Sequence, residues 1–160
     1  MATMLDLTDG LPEVQVPTGY TVCAEGDPGG SIWVLVDGVL AVMKGAVQVN
    51  TIDRPGAIVG EMAVLLGSPA TATVVAREPS RLRRASDGTA FMRSNPEVPT
   101  FVAAVLAERL QFVTTYLADL KHHYGDAPGL AMVGDVLTQL AVRQGPTARP
   151  GSARDPDPEY

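Results

Sequence analysis

The sequence predicts an α+β protein in which an antiparallel β domain precedes a helical region. Between residues 13 and 86, short β-branched runs alternate with glycine and proline turn signals about every ten residues, which is typical of a sandwich, roll or barrel. Beyond residue 96 these signals become sparse and apolar residues recur at helical spacing. We expect a β domain over residues 1–95, helices over 96–144 and a disordered tail over 145–160, where apolar side chains are scarce.

Each predicted strand ends at a cluster of turn residues. The seven strands cover residues 13–16, 20–24, 31–36, 39–43, 46–52, 71–76 and 80–85. The dipeptide Asp37-Gly38 predicts a tight hairpin of type I′ between the third and fourth strands. A short apolar segment, residues 61–66, lies between Gly60 and Gly67 and predicts a helix inside the β domain.

Composition excludes several classes of protein. The 160 residues include 18 acidic and 12 basic side chains, a net charge of −6, which disfavours direct nucleic-acid binding because phosphate contacts dominate that affinity. The single cysteine, Cys23, excludes a disulfide framework and a multi-cysteine metal site. No uninterrupted apolar run is long enough to span a bilayer, and the N-terminus lacks the basic start of a signal peptide. We expect a cytoplasmic protein with no membrane span, no metal, no cofactor and no catalytic residues.

A long helix is predicted after Asn95, which can cap it, with Pro96 in its first turn. A heptad-like seam then recurs at alternating steps of four and three, consisting of Leu106, Leu110, Val113, Leu117 and Leu120. A second apolar line follows another side of the helix, consisting of Phe101, Val105, Phe112 and Tyr116. The seam predicts a homodimer or an effector protein bound through residues 96–124. The alternative is one broad face packed on the chain's own β domain.

Residues 56–73 combine groups that suit a small anionic ligand. Gly60 lets the backbone approach a ligand closely, and Glu61 begins a helical turn whose free N–H groups attract an anion. A carboxylate fits beside an anion if it accepts hydrogen bonds from ligand hydroxyls such as those of a ribose. Thr71 and Thr73 could present hydroxyls to the same ligand. Alternatively, Glu61 only stabilises the helix dipole and Gly60 is an ordinary turn glycine.

These motifs resemble the cyclic nucleotide-binding domain, a β-roll found in the bacterial cAMP receptor protein, protein kinase A regulatory subunits and gated channels. The resemblance covers about residues 10–125, and its most specific part is the run Gly60-Glu61-Met62-Ala63 followed by Pro69 to Thr73. The other matching elements are Gly19, residues 25–27, 32–36 and 37–38, and Gly56. It implies a roll of the double-stranded β-helix or jelly-roll type, with a phosphate-binding cassette at residues 56–73.

The resemblance also implies a ligand, cyclic AMP or a related cyclic nucleotide, and roles for the cassette residues. Glu61 would accept the ribose 2′-hydroxyl, and the N–H groups of Met62 and Ala63 would face the sugar-phosphate. Thr71 would meet the phosphate through its N–H and its hydroxyl. Gly60 and the segment beginning at Pro69 would complete the cassette.

One cassette position departs from the family pattern. An arginine usually follows the proline and pairs with the cyclic phosphate, but this chain has Ala70 there. A charge-assisted bond of that kind contributes about 1.5–3 kcal/mol, or roughly one to two factors of ten in affinity. The departure predicts either weakened binding or a site that no longer binds nucleotide.

The long helix resembles the dimerisation helix of the cAMP receptor protein, and this likeness implies that Thr114 reaches the adenine across a dimer. An exposed threonine with no such role is the alternative. Residues 130–142 resemble the next helix of those regulators, and the likeness ends at Gly145, where their DNA-reading helices would follow. The expected function is a non-catalytic regulatory module that binds a cyclic nucleotide. The alternative is a degenerate fold that serves protein interaction or oligomerisation.

Overall fold

The computed structural model describes residues 2–124 and 131–142. They form two compact units with the boundary between Phe101 and Val102. The first unit contains α1 (Met4–Leu7), β1 (Glu13–Val16), β2 (Thr21–Cys23), β3 (Ile32–Asp37), β4 (Leu40–Lys44), β5 (Val47–Ile52), β6 (Ile58–Val59), α2 (Glu61–Leu66), β7 (Thr73–Ala76), β8 (Ser80–Ala85) and α3 (Gly88–Ser94). The helix α4 (Glu97–Tyr124) begins in the first unit and continues into the second, which also contains α5 (Ala131–Val142).

The strands form two four-stranded antiparallel sheets. One has the order β1-β8-β3-β6 and the other the order β2-β7-β4-β5. Consecutive strands lie in different sheets throughout the roll, except for β4 and β5, which pair as a hairpin. This winding confirms the predicted antiparallel β-roll followed by helices.

The core of the roll takes apolar side chains from both sheets. Leu35 and Leu82 come from one sheet and Leu40 from the other, and all three are completely buried. The remaining buried members of the cluster are Val16, Val22, Trp33, Val59, Val74 and Ala76. Because such cores are close-packed, the loops between the strands leave the roll at fixed positions. Two of these loops carry the cassette.

Most predicted elements are confirmed. β1, α2 and β8 begin and end at the predicted residues, and the other predicted strands are displaced by one or two residues. Asn95 caps α4, since its side-chain oxygen accepts the Glu97 N–H at 2.9 Å. The sequence did not predict α1, α3 or the two-residue strand β6. These elements are too short to produce a recognisable period.

The predicted hairpin at Asp37-Gly38 is wrong. β3 and β4 lie in different sheets and do not pair, so the dipeptide makes a crossing between sheets. A type I′ turn needs a positive φ at two consecutive residues. Among the described residues, a positive φ occurs only at glycines, and Gly38 is flanked by Asp37 and Val39. The dipeptide correctly marked a turn, but a local signal does not specify which strands the turn joins.

The second unit exposes much of the apolar surface of α4. In the predicted seam, Leu110 is 52% exposed and Val113 46%, whereas Leu106, Leu117 and Leu120 are half-buried. In the second line, Phe112 and Tyr116 are exposed. Among the described helices, α4 is also long and apolar enough to cross a membrane by length and composition, although a single such helix is weak evidence for a span.

Candidate functional site

The junction between β6 and α2 requires a glycine at position 60. Gly60 precedes the helix with φ +92° and ψ −3°, a left-handed conformation that other residues rarely adopt. A Cβ on Gly60 would also clash with the main-chain oxygen of Ser31, just before β3. The sequence suggested that a glycine is needed here so that a ligand can approach the backbone. The structure shows that contacts within the protein already require it. Gly60 lets the start of the cassette helix pack against the first residues of β3.

Glu61 is the first residue of α2 and is only 3% exposed. Glutamate is almost never so fully buried unless its charge has partners, and Glu61 does interact with other groups of the protein. The pKa of the Cys23 thiol is raised, first by burial and further by the negative charges of Asp27 and Glu61. The Glu61 carboxylate is therefore close enough to the Cys23 thiol for its charge to affect that pKa. An acid that only stabilised the helix dipole would not need this burial.

The other cassette residues of α2 differ in exposure. The Ala63 side chain is buried, while Met62 is 41% exposed. At a helix N-terminus the first N–H groups have no partner within the helix, and this applies to Met62 and Ala63. The first bond of the helical type runs from the Val64 N–H to the Gly60 carbonyl, at 3.3 Å. The predicted contact of the Met62 and Ala63 N–H groups with a sugar-phosphate stays a prediction.

The segment from Pro69 to Thr73 is tied to the turn that follows β2. The Ala70 N–H donates to the Asp27 carbonyl, and the Gly26 N–H donates to the Ala70 carbonyl, both at 2.9 Å. The Thr73 hydroxyl accepts the Glu25 N–H, also at 2.9 Å. The main chain at Ala70 is thus held by bonds that do not involve its side chain. Thr73, which the sequence analysis assigned to the ligand, is already bonded within the protein.

Lys44 is a cation beside this segment that the sequence analysis missed. Its Nζ donates to the Thr71 carbonyl at 2.6 Å and lies 2.6 Å from a Glu25 carboxylate oxygen. The second Glu25 oxygen accepts the Gly45 N–H at 3.0 Å. These contacts, with the Lys44 hydrogen bond first, lower the pKa of Glu25. Three separate segments of the chain therefore converge on Lys44 and Glu25.

Thr114 and the seam lie apart from the cassette in the sequence and belong to the second unit. Thr114 is exposed on α4. The assignment of Thr114 to the adenine therefore stays a prediction, as does pairing through the seam. Residues 145–160, predicted to be a disordered tail, lie outside the described residues.

A separate groove of about 380 Å³ lies on the first sheet, where β1 and β3 end and β8 begins. It is lined by Gln15, Val16, Pro17, Asp37, Pro79, Ser80 and Arg81. None of the predicted cassette residues contributes to this groove. We therefore assign the candidate site to residues 56–73, where a buried carboxylate and backbone donors occur together.

Comparison with known proteins shows which family the first unit is similar to. Residues 13–91 match the family model described as "Cyclic nucleotide-binding domain". Over 147 residues the chain is 33% identical to a CRP-like cAMP-activated global transcriptional regulator of Mycobacterium tuberculosis, covering 87% of this chain and 63% of that protein. It is also 30% identical to a cyclic nucleotide-gated potassium channel of Mesorhizobium japonicum, over 68% of this chain and 30% of the channel. The chain thus spans less than two thirds of the length of these relatives.

Solved structures show the same fold. One, described as Sp-2Cl-cAMPS bound to PKAR CBD2, superposes with a TM-score of 0.57 at 23% identity, covering 71% of this chain and 74% of that one. The N-terminal domain of a transcriptional regulator from Streptomyces coelicolor superposes with a TM-score of 0.52 at 24% identity, covering 69% and 81%. At 23% and 24% identity, these superpositions show a shared fold and nothing more.

Proposed function

From the premise that residues 13–91 belong to the cyclic nucleotide-binding domain family, we propose that this chain is a non-catalytic regulatory module that binds cyclic AMP in the cassette. The observation that carries the proposal is the burial of Glu61 at the first residue of the cassette helix, within the matched domain. A buried carboxylate next to unpaired helix N–H groups can accept sugar hydroxyls while the N–H groups bind phosphate.

The phosphate in this proposal is bound chiefly by main-chain donors. Among the described residues, none accepts a hydrogen bond from the Thr71 N–H or the Thr71 hydroxyl, so both are available to an anion. Glu61 would bind the ribose 2′-hydroxyl, as the family resemblance implies. Because Ala70 carries no charge, we expect weaker binding than in a cassette with the usual arginine.

The proposed readout of binding is the helix α4. Its first turn belongs to the first unit, where Val98 is completely buried, and the same helix continues beyond Phe101 into the second unit. A ligand that favours one position of this first turn would shift the population of helix positions. A partner or a second subunit would sense that shift through the exposed apolar residues of α4.

A thermal-shift panel of cyclic AMP, cyclic GMP and cyclic dinucleotides tests the ligand. Cyclic AMP at about a hundred times its Kd should stabilise the fold by about 2.7 kcal/mol. For a chain of this size, we expect the Tm to rise by roughly 5–10 °C. An unchanged Tm with every nucleotide at millimolar concentration would favour the second candidate function.

That second candidate is a protein-interaction module that no longer binds nucleotide. The specific observation in its favour is the exposed apolar surface of α4, including Leu110 and Phe112. We prefer a protein to a bilayer as its partner, because Glu108 and Arg109 lie near the middle of the helix. Charges at the centre of a membrane span are costly. Since the chain is similar to a transcriptional regulator, we also propose a cytoplasmic location.

Substitution in the seam should dissociate any oligomer that forms through α4. Leu110→Asp or Leu117→Asp places a charge on a seam that must lose water on association. We expect the sedimentation coefficient to fall to that of a monomer, while far-ultraviolet circular dichroism stays unchanged. Thr115→Asp, an exposed position of the same helix outside the seam, is the matched control and should keep the wild-type state. Equal sedimentation of all the variants would argue against pairing through the seam.

A further inference from the structure

We infer that Lys44 supplies a cation for the ligand phosphate. It would take the place of the usual cassette arginine, a position that Ala70 occupies in this chain. The inference rests on the proposed function and names a ligand-binding residue outside the cassette itself. Its starting observation is the Lys44 Nζ, which lies 2.6 Å from the carbonyl oxygen of Thr71, the residue that follows Ala70.

Strand pairing brings Lys44 to the cassette. β4 pairs with β7 so that Met43 lies opposite Thr73, and the next residue along β4 therefore reaches the segment that precedes β7. Lys44 is also the last residue of β4, at the hairpin that leads into β5. Its ammonium group thus approaches the end of the cassette from a neighbouring strand. The family arginine would instead extend from the cassette main chain.

The ammonium group retains capacity for an anion. It has three donors, and two recorded partners, the Thr71 carbonyl and the Glu25 carboxylate, engage it. Its side chain is 58% exposed, and its four-carbon stem is flexible. A phosphate can take the third donor, or displace Glu25, which would keep its bond from the Gly45 N–H.

Four other cations of the first unit contact groups outside residues 69–73. Arg77 donates to Gln48, Arg81 pairs with Glu13, and Arg83 pairs with Asp9 and Glu13. Arg84 lies over the Trp33 ring. Among the described side chains, Lys44 is the cation recorded in contact with residues 69–73. The competing interpretation is that Lys44 and Glu25 merely brace the β4–β5 hairpin against the cassette.

Titration calorimetry with cyclic AMP on the full chain separates these interpretations, because they predict opposite effects for one variant. If Lys44 binds phosphate, Lys44→Gln weakens binding by about three- to tenfold, a range that allows for solvent screening. Lys44→Arg then retains most of the affinity. Glu25→Gln tightens binding about two- to threefold, because it removes the carboxylate that competes for the ammonium. Lys121→Gln replaces the chain's other lysine and should leave the Kd unchanged.

A bracing role predicts that Lys44→Gln and Glu25→Gln both weaken binding and both lower the Tm of the ligand-free protein. That result, or an unchanged Kd for Lys44→Gln, would overturn the inference. A wild-type chain that does not bind cyclic AMP would overturn the proposed function itself, and the Lys44 inference with it. The wild-type titration therefore distinguishes the two failures.

Discussion

Gly60→Ala is expected to destabilise the roll by about 2–5 kcal/mol and to remove measurable nucleotide binding. The left-handed conformation, with φ +92°, costs any other residue about 1–2 kcal/mol. The new Cβ would in addition clash with the Ser31 carbonyl oxygen, which belongs to the main chain and cannot rotate away. Relief of this clash would move α2 away from β3, and Glu61 would move with it.

Gly19→Ala provides a matched control. Gly19 has a similar φ of +85°, but no atom lies within 4 Å of the Cβ that alanine would add. The free energy of unfolding of this variant should therefore fall only by the cost of the left-handed conformation, about 1–2 kcal/mol, and the variant should still bind nucleotide. Urea unfolding of the two variants measures the difference. Equal losses of unfolding free energy would show that the contact with Ser31 does not constrain the cassette.

Ala70→Arg is expected to tighten cyclic AMP binding by about tenfold or more. The main chain at Ala70 is already held by its bonds with Gly26 and Asp27, so the substitution adds a guanidinium without altering the segment. A bidentate pair between arginine and phosphate is stronger than a neutral hydrogen bond. Calorimetric titration of the variant and the wild type gives the ratio of Kd values.

Gln15→Arg controls for a general effect of added positive charge. Gln15 is an exposed residue of β1, in the other sheet of the roll, and gains the same charge. Its Kd should stay within about twofold of wild type, because charges separated by more than a Debye length are screened. If the two arginine variants bind cyclic AMP alike, residue 70 does not face the phosphate.

Much of the roll could be predicted because its strands are short and bounded by strong turn signals. β1 and β8 were located to the residue, and α2 was delimited by Gly60 and Gly67. Strand partnership could not be predicted in the same way, since it depends on residues distant in sequence. The Asp37-Gly38 turn illustrates this limit, because the same dipeptide serves a hairpin or a crossing between sheets.

The candidate site, like the fold, could be predicted only in part from the sequence. Glu61 was identified from its position after Gly60, but only the packed roll shows that its side chain is buried. Lys44 gave no local signal, because it is a lysine before a glycine in an ordinary turn. The pairing of β4 with β7 brings it to Thr71, 27 residues later in the chain. Residues that reach a site from another strand are therefore the ones that sequence patterns miss.

The central claim, that this cassette binds a cyclic nucleotide, is tested most directly by isothermal titration of the wild-type chain with cyclic AMP. We predict saturable heat with one site per chain. The affinity should be roughly one to two factors of ten weaker than that of a cassette with the usual arginine. The same titration with Glu61→Gln should show weaker binding, because the buried carboxylate would no longer accept the ribose hydroxyl as a charged group. The absence of heat from the wild-type chain at high micromolar cyclic AMP would contradict the claim.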